Sequence, residues 1–147
     1  MRVHQATIED LDEIAPLLDR YRHGYGEPSD PGGARTFLCE RLRNHQSVIF
    51  CANRRSGKAA GFTLLSPSYS LIAMARTFIL NDLFVVPEAR RKGVASMLLG
   101  AAVTYARSVG AIRITLATAK GNDAAKSLYL SQGWKQDKAF HVFHLGL

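Results

Sequence analysis

The stretch whose residue types and spacing could do chemistry is Leu83-Phe84-Val85-Val86-Pro87-Glu88-Ala89-Arg90-Arg91-Lys92-Gly93-Val94-Ala95-Ser96. β-favouring residues run into Pro87, a short basic turn with a glycine follows, and helical periodicity begins at once. Strand, turn and helix start in immediate succession aim unpaired backbone N–H groups and the positive end of a helix dipole at one point, which is the chemistry of a phosphate seat. Gly93 lets backbone come close to a ligand, Ala95 adds little bulk, and Arg90, Arg91 and Lys92 add positive charge. The spacing is neither the G-x-x-x-x-G-K-[ST] of a Walker loop nor the G-x-G-x-x-G of dinucleotide folds. The bland alternative is an ordinary helix start with solvated basic side chains.

The charge distribution supports an anion site in this half of the chain. The net charge is +7, from 19 Lys/Arg against 12 Asp/Glu, and residues 1–75 account for only +1 of it while residues 76–147 carry +6. A nucleic-acid-binding module is the competing explanation, but no recognisable nucleic-acid fold or interleaved aromatic-basic pattern accompanies the charge, and a phosphate loop explains it equally well. With 147 residues, 47% of them hydrophobic, the chain suits one domain spanning residues 1–147. No apolar run approaches the ~20 residues of a membrane-spanning helix, and Met1 to Thr7 lacks an apolar signal core. Cys39 and Cys51 are too few for a disulfide framework and lack metal-ligand partners at useful spacing, so a cytoplasmic protein with reduced thiols and no bound metal is expected.

The elements that must position the loop follow from periodicity and punctuation. A short strand at 2–6 leads to a capping box beginning at Thr7, and Ile8, Leu11, Ile14, Ala15 and Leu18 share a helical face interrupted by Pro16. Residues 24–33 carry too many breakers for regular structure, and a second helix is expected through Phe37, Leu38, Arg41 and Leu42 to about Asn44. Strands are expected at 47–52 and 59–65 with a polar turn between them, then a loop at 66–70 and a long strand at 76–86. A helix from Lys92 to about Val109 ends at Gly110, followed by a strand at 111–117, a helix at 122–132, and strand material around Trp134 and 139–145. The strand-helix-strand unit makes 76–86 and 111–117 parallel, whereas the earlier hairpin is antiparallel. The result is an α/β fold with a mixed, mainly antiparallel central sheet and helices on both faces.

Two motifs in order give this chain a family resemblance. Arg90-Arg91-Lys92-Gly93-Val94-Ala95 fits [QR]-x-x-G-x-[GA] after a long strand and Val-x-Pro, while Asn122, Ala125, Leu128-Tyr129 and Gly133-Trp134 fit N-x-x-A-x-x-L-Y-x-x-x-G-[FW]. The sequence resembles the GNAT superfamily of acetyl-CoA-dependent N-acetyltransferases over essentially its whole length, with residues 76–134 the specific part. Leu80-Asn81-Asp82-Leu83-Phe84-Val85 is most similar to the small-molecule branch that includes diamine and spermidine acetyltransferases.

The resemblance implies roles and partners. Two parallel strands should splay to form the acetyl-CoA cleft, with backbone groups of Leu83, Phe84 and Val85 on the pantetheine arm. Arg90, Arg91, Lys92, Gly93, Val94, Ala95 and Ser96 should hold the pyrophosphate, Asn122 should meet the pantetheine, and Tyr129 should sit beside the thioester sulfur as general acid. The acceptor would be a small-molecule primary amine attacking directly in a ternary complex, and a homodimer is the family expectation. Fixed donors near the acetyl oxygen would contribute ~3–4 kcal/mol each in such an acyl transfer.

The proton acceptor is less plain. An alkylamine with pKa ~10.4 must lose a proton before attack. The diamine branch has a glutamate where this chain has Asn81, which cannot be a base; Asp82 can. Strand alternation sends Asn81 and Asp82 to opposite faces unless a bulge intervenes. Asn81, Asp82 and Tyr25 are the candidate acceptor-binding residues, and Arg20, Tyr21, Arg22, His23 and Tyr25 form a basic-aromatic cluster that either lines the acceptor site or ends a helix in solvent. His141 and His144, three apart on an expected strand, do not share a face. Protein lysine or N-terminal acetylation, and acyl-CoA binding without catalysis, are the alternative readings.

Overall fold

The computed structural model describes all 147 residues, which divide into two compact units, Met1–Ala117 and Thr118–Leu147. In the first unit, β1 (Arg2–Gln5), β2 (Val48–Asn53), β3 (Ala59–Ser70), β4 (Ala75–Val85) and β5 (Ile114–Leu116) form one sheet in that order. The first three pairings are antiparallel and β4–β5 is parallel, the mixed, mainly antiparallel arrangement that the alternation of hairpin and crossover predicts. Helices α1 (Leu11–Gly24), α2 (Pro31–Arg43) and α3 (Val94–Ser108) complete this unit. The second contains α4 (Asp123–Ser131).

Helices cover both sheet faces. Tyr21 of α1 packs its ring against Phe62 and Phe84, whereas Tyr105 of α3 packs against Phe50 and Phe78. Phe50 pairs with Thr63, the strand neighbour of Phe62, so the two clusters lie on opposite faces. Leu11, Ile14, Leu38, Ile49, Phe62, Leu65, Phe78, Leu98 and Leu99 are buried and form the centre of the core.

Local chemistry explains most boundaries. Thr7 and Asp10 form a reciprocal capping box, with the Thr7 N–H donating to Asp10 Oδ2 at 2.8 Å and Thr7 Oγ1 accepting from the Glu9 N–H at 3.3 Å. Helix α1 continues through Pro16. Helix α2 starts at Pro31, inside the stretch expected to be loop, because Asp30 caps it through the Gly33 N–H at 2.9 Å and Pro31 occupies the first turn, where its missing donor costs nothing. Gly110, with φ +79°, lies just beyond α3, as its C-terminal position suggests.

Two further expectations differ. Residues 66–70 continue β3 instead of forming a loop: β2 pairs no further than Leu65, so Pro67 removes a donor from an edge no other strand uses, while β4 pairs with it through Phe78. Residues 139–145 form no strand, and Phe140, Val142, Phe143 and Leu145 are exposed. The apolar alternation there has no ladder partner to satisfy its backbone. Cys39 and Cys51 are both free thiols, and burial pushes Cys51 up to about 12.

Candidate active site

The site is organised by a break in strand β4. Register runs Leu64↔Asp82 and then Leu65↔Leu80, leaving Asn81 as the extra residue of a β-bulge. Leu64 and Leu65 face opposite sides of the sheet, so Leu80 and Asp82 do as well. Without the bulge, Phe78, Leu80, Asp82 and Phe84 would share one face; with it, Phe78 faces α3 while Asp82 joins Phe84 and Phe62 on the α1 side. The Thr63 hydroxyl, fully buried, donates to the Asp82 carbonyl at 2.8 Å and fixes the strand beside the break. Asn81 is exposed and its Oδ1 accepts from the Ser66 hydroxyl.

Asp82 is half-buried on that face. Burial raises its carboxyl above the ordinary value, and the Tyr21 phenol, within hydrogen-bonding reach, partly offsets this by favouring the charged form. Tyr21 itself is pushed upward, chiefly by burial and then by the Asp82 charge. Its ring centroid lies 5.4 Å from Phe84 and 5.2 Å from Tyr25, which is 75% exposed. Of the basic-aromatic cluster in the sequence, Tyr21 and Tyr25 therefore reach the site. Arg20 instead makes a bidentate pair with Glu88 at 3.0 and 3.1 Å, and Arg22 lies 3.8 Å from Glu27.

The bulge also opens the sheet. β5 pairs with β4 only from Phe78 to Leu80, so Asp82 to Val85 have no strand on that side. The Val86 N–H donates to the Ala60 carbonyl at 2.9 Å; by antiparallel alternation, Phe84 points its backbone groups at β3, and Leu83 and Val85 turn theirs toward the open side. The Val85 carbonyl is taken by Arg90 Nε at 2.8 Å, which leaves the Leu83 and Val85 N–H groups directed outward.

Behind this opening stands the basic loop. Arg91 at φ +60° and Gly93 at φ +81° are both left-handed, and α3 begins with no side-chain cap, so the N–H groups of Val94, Ala95 and Ser96 have no intrahelical partner. A concave run of backbone donors at a helix start suits a pyrophosphate. A Cβ on Gly93 would meet nothing within 4 Å, so the glycine is required by its backbone angle and not by crowding within the chain. Arg90 lies 5.8 Å over the Phe84 ring and Lys92 Nζ donates to the Glu88 carbonyl at 3.3 Å.

Asn122 and Tyr129 belong to the second unit. Asn122 Oδ1 caps α4 through the Ala125 N–H at 3.2 Å. Tyr129 is half-buried with its ring 6.0 Å from Trp134, which is itself half-buried and lies outside any strand. His141 and His144 are exposed in the irregular tail. No group of three or more His, Cys, Asp or Glu side chains could hold a metal ion, and no helix is long and apolar enough to cross a membrane.

Residues 11–134 match the profile of the Acetyltransferase (GNAT) family. The chain belongs to the GNAT acetyltransferase family. It is 47% identical over 140 residues to an uncharacterized N-acetyltransferase, YhfO, of Bacillus subtilis, covering 95% of this chain and 93% of that protein. A crystal structure of a probable acetyltransferase superposes with a TM-score of 0.94 at 41% identity, covering 100% of this chain and 98% of the other. The fold is also that of AAC(6')-Iy bound to the bisubstrate analogue CoA-S-monomethyl-acetylneamine, with TM-score 0.81, 19% identity, and coverage of 99% and 98%. This GNAT protein is thus an acetyltransferase with the mixed α/β fold of its family, a family that uses acetyl-CoA.

Two contributors escaped the sequence reading. Gly61 of β3 approaches β4 so closely that a Cβ would lie 2.7 Å from the Phe84 carbonyl oxygen. The other is the Tyr21–Asp82 pairing, joining residues 61 positions apart, which only the register of β4 makes visible.

Proposed function

We propose that this GNAT protein transfers acetyl from acetyl-CoA to the primary amine of a small molecule within a ternary complex, acting as one functional domain over residues 1–147 in the cytoplasm and as a homodimer. The observation carrying this reading is the departure of β4 from β5 after Leu80, with the outward Leu83 and Val85 N–H groups on one side of the opening and the left-handed Arg91–Gly93 loop beyond it.

The bound thioester supplies the electrophilic acetyl carbon. Leu83 and Val85 donate from the open edge of β4 to the pantetheine arm, while Phe84 supports them through its ladder to β3. The backbone from Arg91 to Ser96 holds the pyrophosphate, Arg90 and Lys92 brace that loop, and Asn122 meets the pantetheine. Asn81, Asp82 and Tyr25 contact the acceptor. The acceptor nitrogen sheds two protons as its lone pair forms the amide bond and the carbon–sulfur bond breaks. Asp82 takes one on the way to solvent; the other ends on the departing sulfur, with the Tyr129 phenol as donor.

Calorimetric titration with acetyl-CoA tests the binding half. We expect saturable binding and a rise in Tm with ligand; absence of both would refute the reading. For the chemistry, Tyr129→Phe should lower turnover far more than acetyl-CoA affinity, and an unchanged rate would remove Tyr129 from the reaction. The likeness of Leu80–Val85 to the diamine and spermidine branch would make the acceptor a polycation. The charges around Asp82 favour a different amine.

A further inference from the structure

The carboxylates at the C-terminal end of α1, in the loop that follows it and just after β4 are not equivalent. Glu88 is held by Arg20 at 3.0 and 3.1 Å and faces Arg54 at 3.8 Å. Glu27 faces Arg22 at 3.8 Å. Asp19 accepts from the Ser29 hydroxyl at 2.7 Å and from the Asp30 N–H, and Asp30 is spent on capping α2. Asp82 alone in this group has neither an arginine partner nor a backbone N–H donating to its carboxylate; its neighbour is a neutral phenol. A polyamine needs a second uncommitted carboxylate at a distance from the first, whereas Glu88 and Glu27 face arginines and Asp19 and Asp30 are engaged by hydroxyl and backbone donors.

What does surround Asp82 is aromatic. Tyr21, Phe84 and Tyr25 form a chain of ring contacts at 5.4 and 5.2 Å, with Phe62 behind at 6.1 Å from Tyr21. Phe84 and Phe62 are buried, so they set the position of the Tyr21 ring, and Tyr25 extends the surface into solvent. One carboxylate beside a wall of rings recognises one ammonium group attached to an apolar body.

Resting on the acetyl-transfer reading above, we propose that the acceptor is a monoamine with an apolar or aromatic body, its nitrogen at Asp82 and its body along Tyr21 and Tyr25. Tyr21 is then a specificity-determining residue in two separable ways: its ring receives the substrate body and its hydroxyl positions the Asp82 carboxylate.

The test measures thiol release from acetyl-CoA with 2-phenylethylamine and with spermidine as probes, for wild type, Tyr21→Ala and Tyr21→Phe, alongside calorimetric acetyl-CoA binding and Tm for each. Wild type should use 2-phenylethylamine with kcat/KM at least about tenfold above spermidine, since one well-placed apolar group changes binding by about that factor. Tyr21→Ala should raise KM for 2-phenylethylamine by about tenfold with acetyl-CoA affinity unchanged, and Tyr21→Phe should keep KM while lowering kcat, a split that loss of packing alone does not produce. If Tyr21→Ala fails to fold, the wild-type ratio and the Phe variant still decide. Preference for spermidine, turnover of neither amine despite acetyl-CoA binding, or indifference to both substitutions overturns the monoamine proposal and leaves the cofactor site standing. Failure to bind acetyl-CoA overturns the acetyl-transfer reading beneath it.

Discussion

Gly61→Ala probes how closely the strands beside the site must approach. The new Cβ would lie 2.7 Å from the Phe84 carbonyl oxygen and 3.3 Å from both Leu98 Cδ1 and Val85 Cα. Carbon and oxygen do not rest that close, and the oxygen belongs to the backbone, so strand β3 or β4 must move by several tenths of an ångström. Leu98 is fully buried on α3, which blocks escape in that direction. Overpacking of this kind costs ~1–3 kcal/mol, and at ~2–4 °C per kcal/mol for a chain of this size the Tm should fall by roughly 2–12 °C. Either movement changes the spacing between β3 and the strand whose Leu83 and Val85 N–H groups line the opening, so acetyl-CoA should also stabilise the variant less. A ligand at ~100-fold its Kd adds ~2.7 kcal/mol to the fold, and that increment should shrink measurably. The assay is thermal unfolding of wild type and variant with and without acetyl-CoA. A variant Tm within about 1 °C of wild type would refute the packing argument; a lowered Tm with an undiminished ligand increment would refute its connection to the site.

Asp82→Asn should reduce turnover by ~10²–10⁴-fold, the range for loss of a positioned general base. Because burial raises this carboxyl, its charged form burdens the fold at neutral pH; the variant should be at least as stable as wild type at pH 7, with the difference closing as pH falls toward 3.8, which unfolding at several pH values will show. Gly93→Val puts a β-branched residue at φ +81° and should weaken acetyl-CoA binding in a calorimetric titration while lowering Tm, even though no atom of the chain crowds the site. Glu88 is held at about 2, first by the Arg20 guanidinium; a depressed carboxyl stabilises above its unfolded value, so Glu88→Gln should be less stable at neutral pH and approach wild type between pH 4.5 and about 2.

Periodicity and punctuation made the sheet and its neighbours legible because they are local properties. Gly93 and Gly110 announced the two ends of α3, and the hairpin and crossover rules sufficed for the directions of β2 to β5. The end of β3 was misread because Pro67 is excluded only where a second ladder needs its donor, and whether β2 reaches that far is a matter of register. Asp30 similarly converts a breaker-rich stretch into a helix start by a bond three residues ahead. The Asn81 bulge stood as a condition in the sequence argument and could not be decided there, since it depends on which residue of β3 faces each residue of β4. The strand pattern at 139–145 had alternation without a partner, which no local rule can supply.

The basic loop also shows how misleading a charge cluster can be when read as a field. Of its three cations, Arg90 is tied to the Val85 carbonyl and lies over Phe84, and Lys92 reaches the Glu88 carbonyl. Glu88 in turn draws in Arg20 and Arg54, so positive charge from α1 and the β2–β3 turn converges on the residue that anchors Lys92. These side chains fasten the loop to the end of β4 and to α1. What they hold in place is the left-handed pair Arg91 and Gly93, whose backbone angles turn successive N–H groups toward one point. On the proposed reading, affinity for the pyrophosphate would originate in oriented backbone dipoles more than in net charge, and the bulge at Asn81 would supply the opening that those dipoles and Asp82 share.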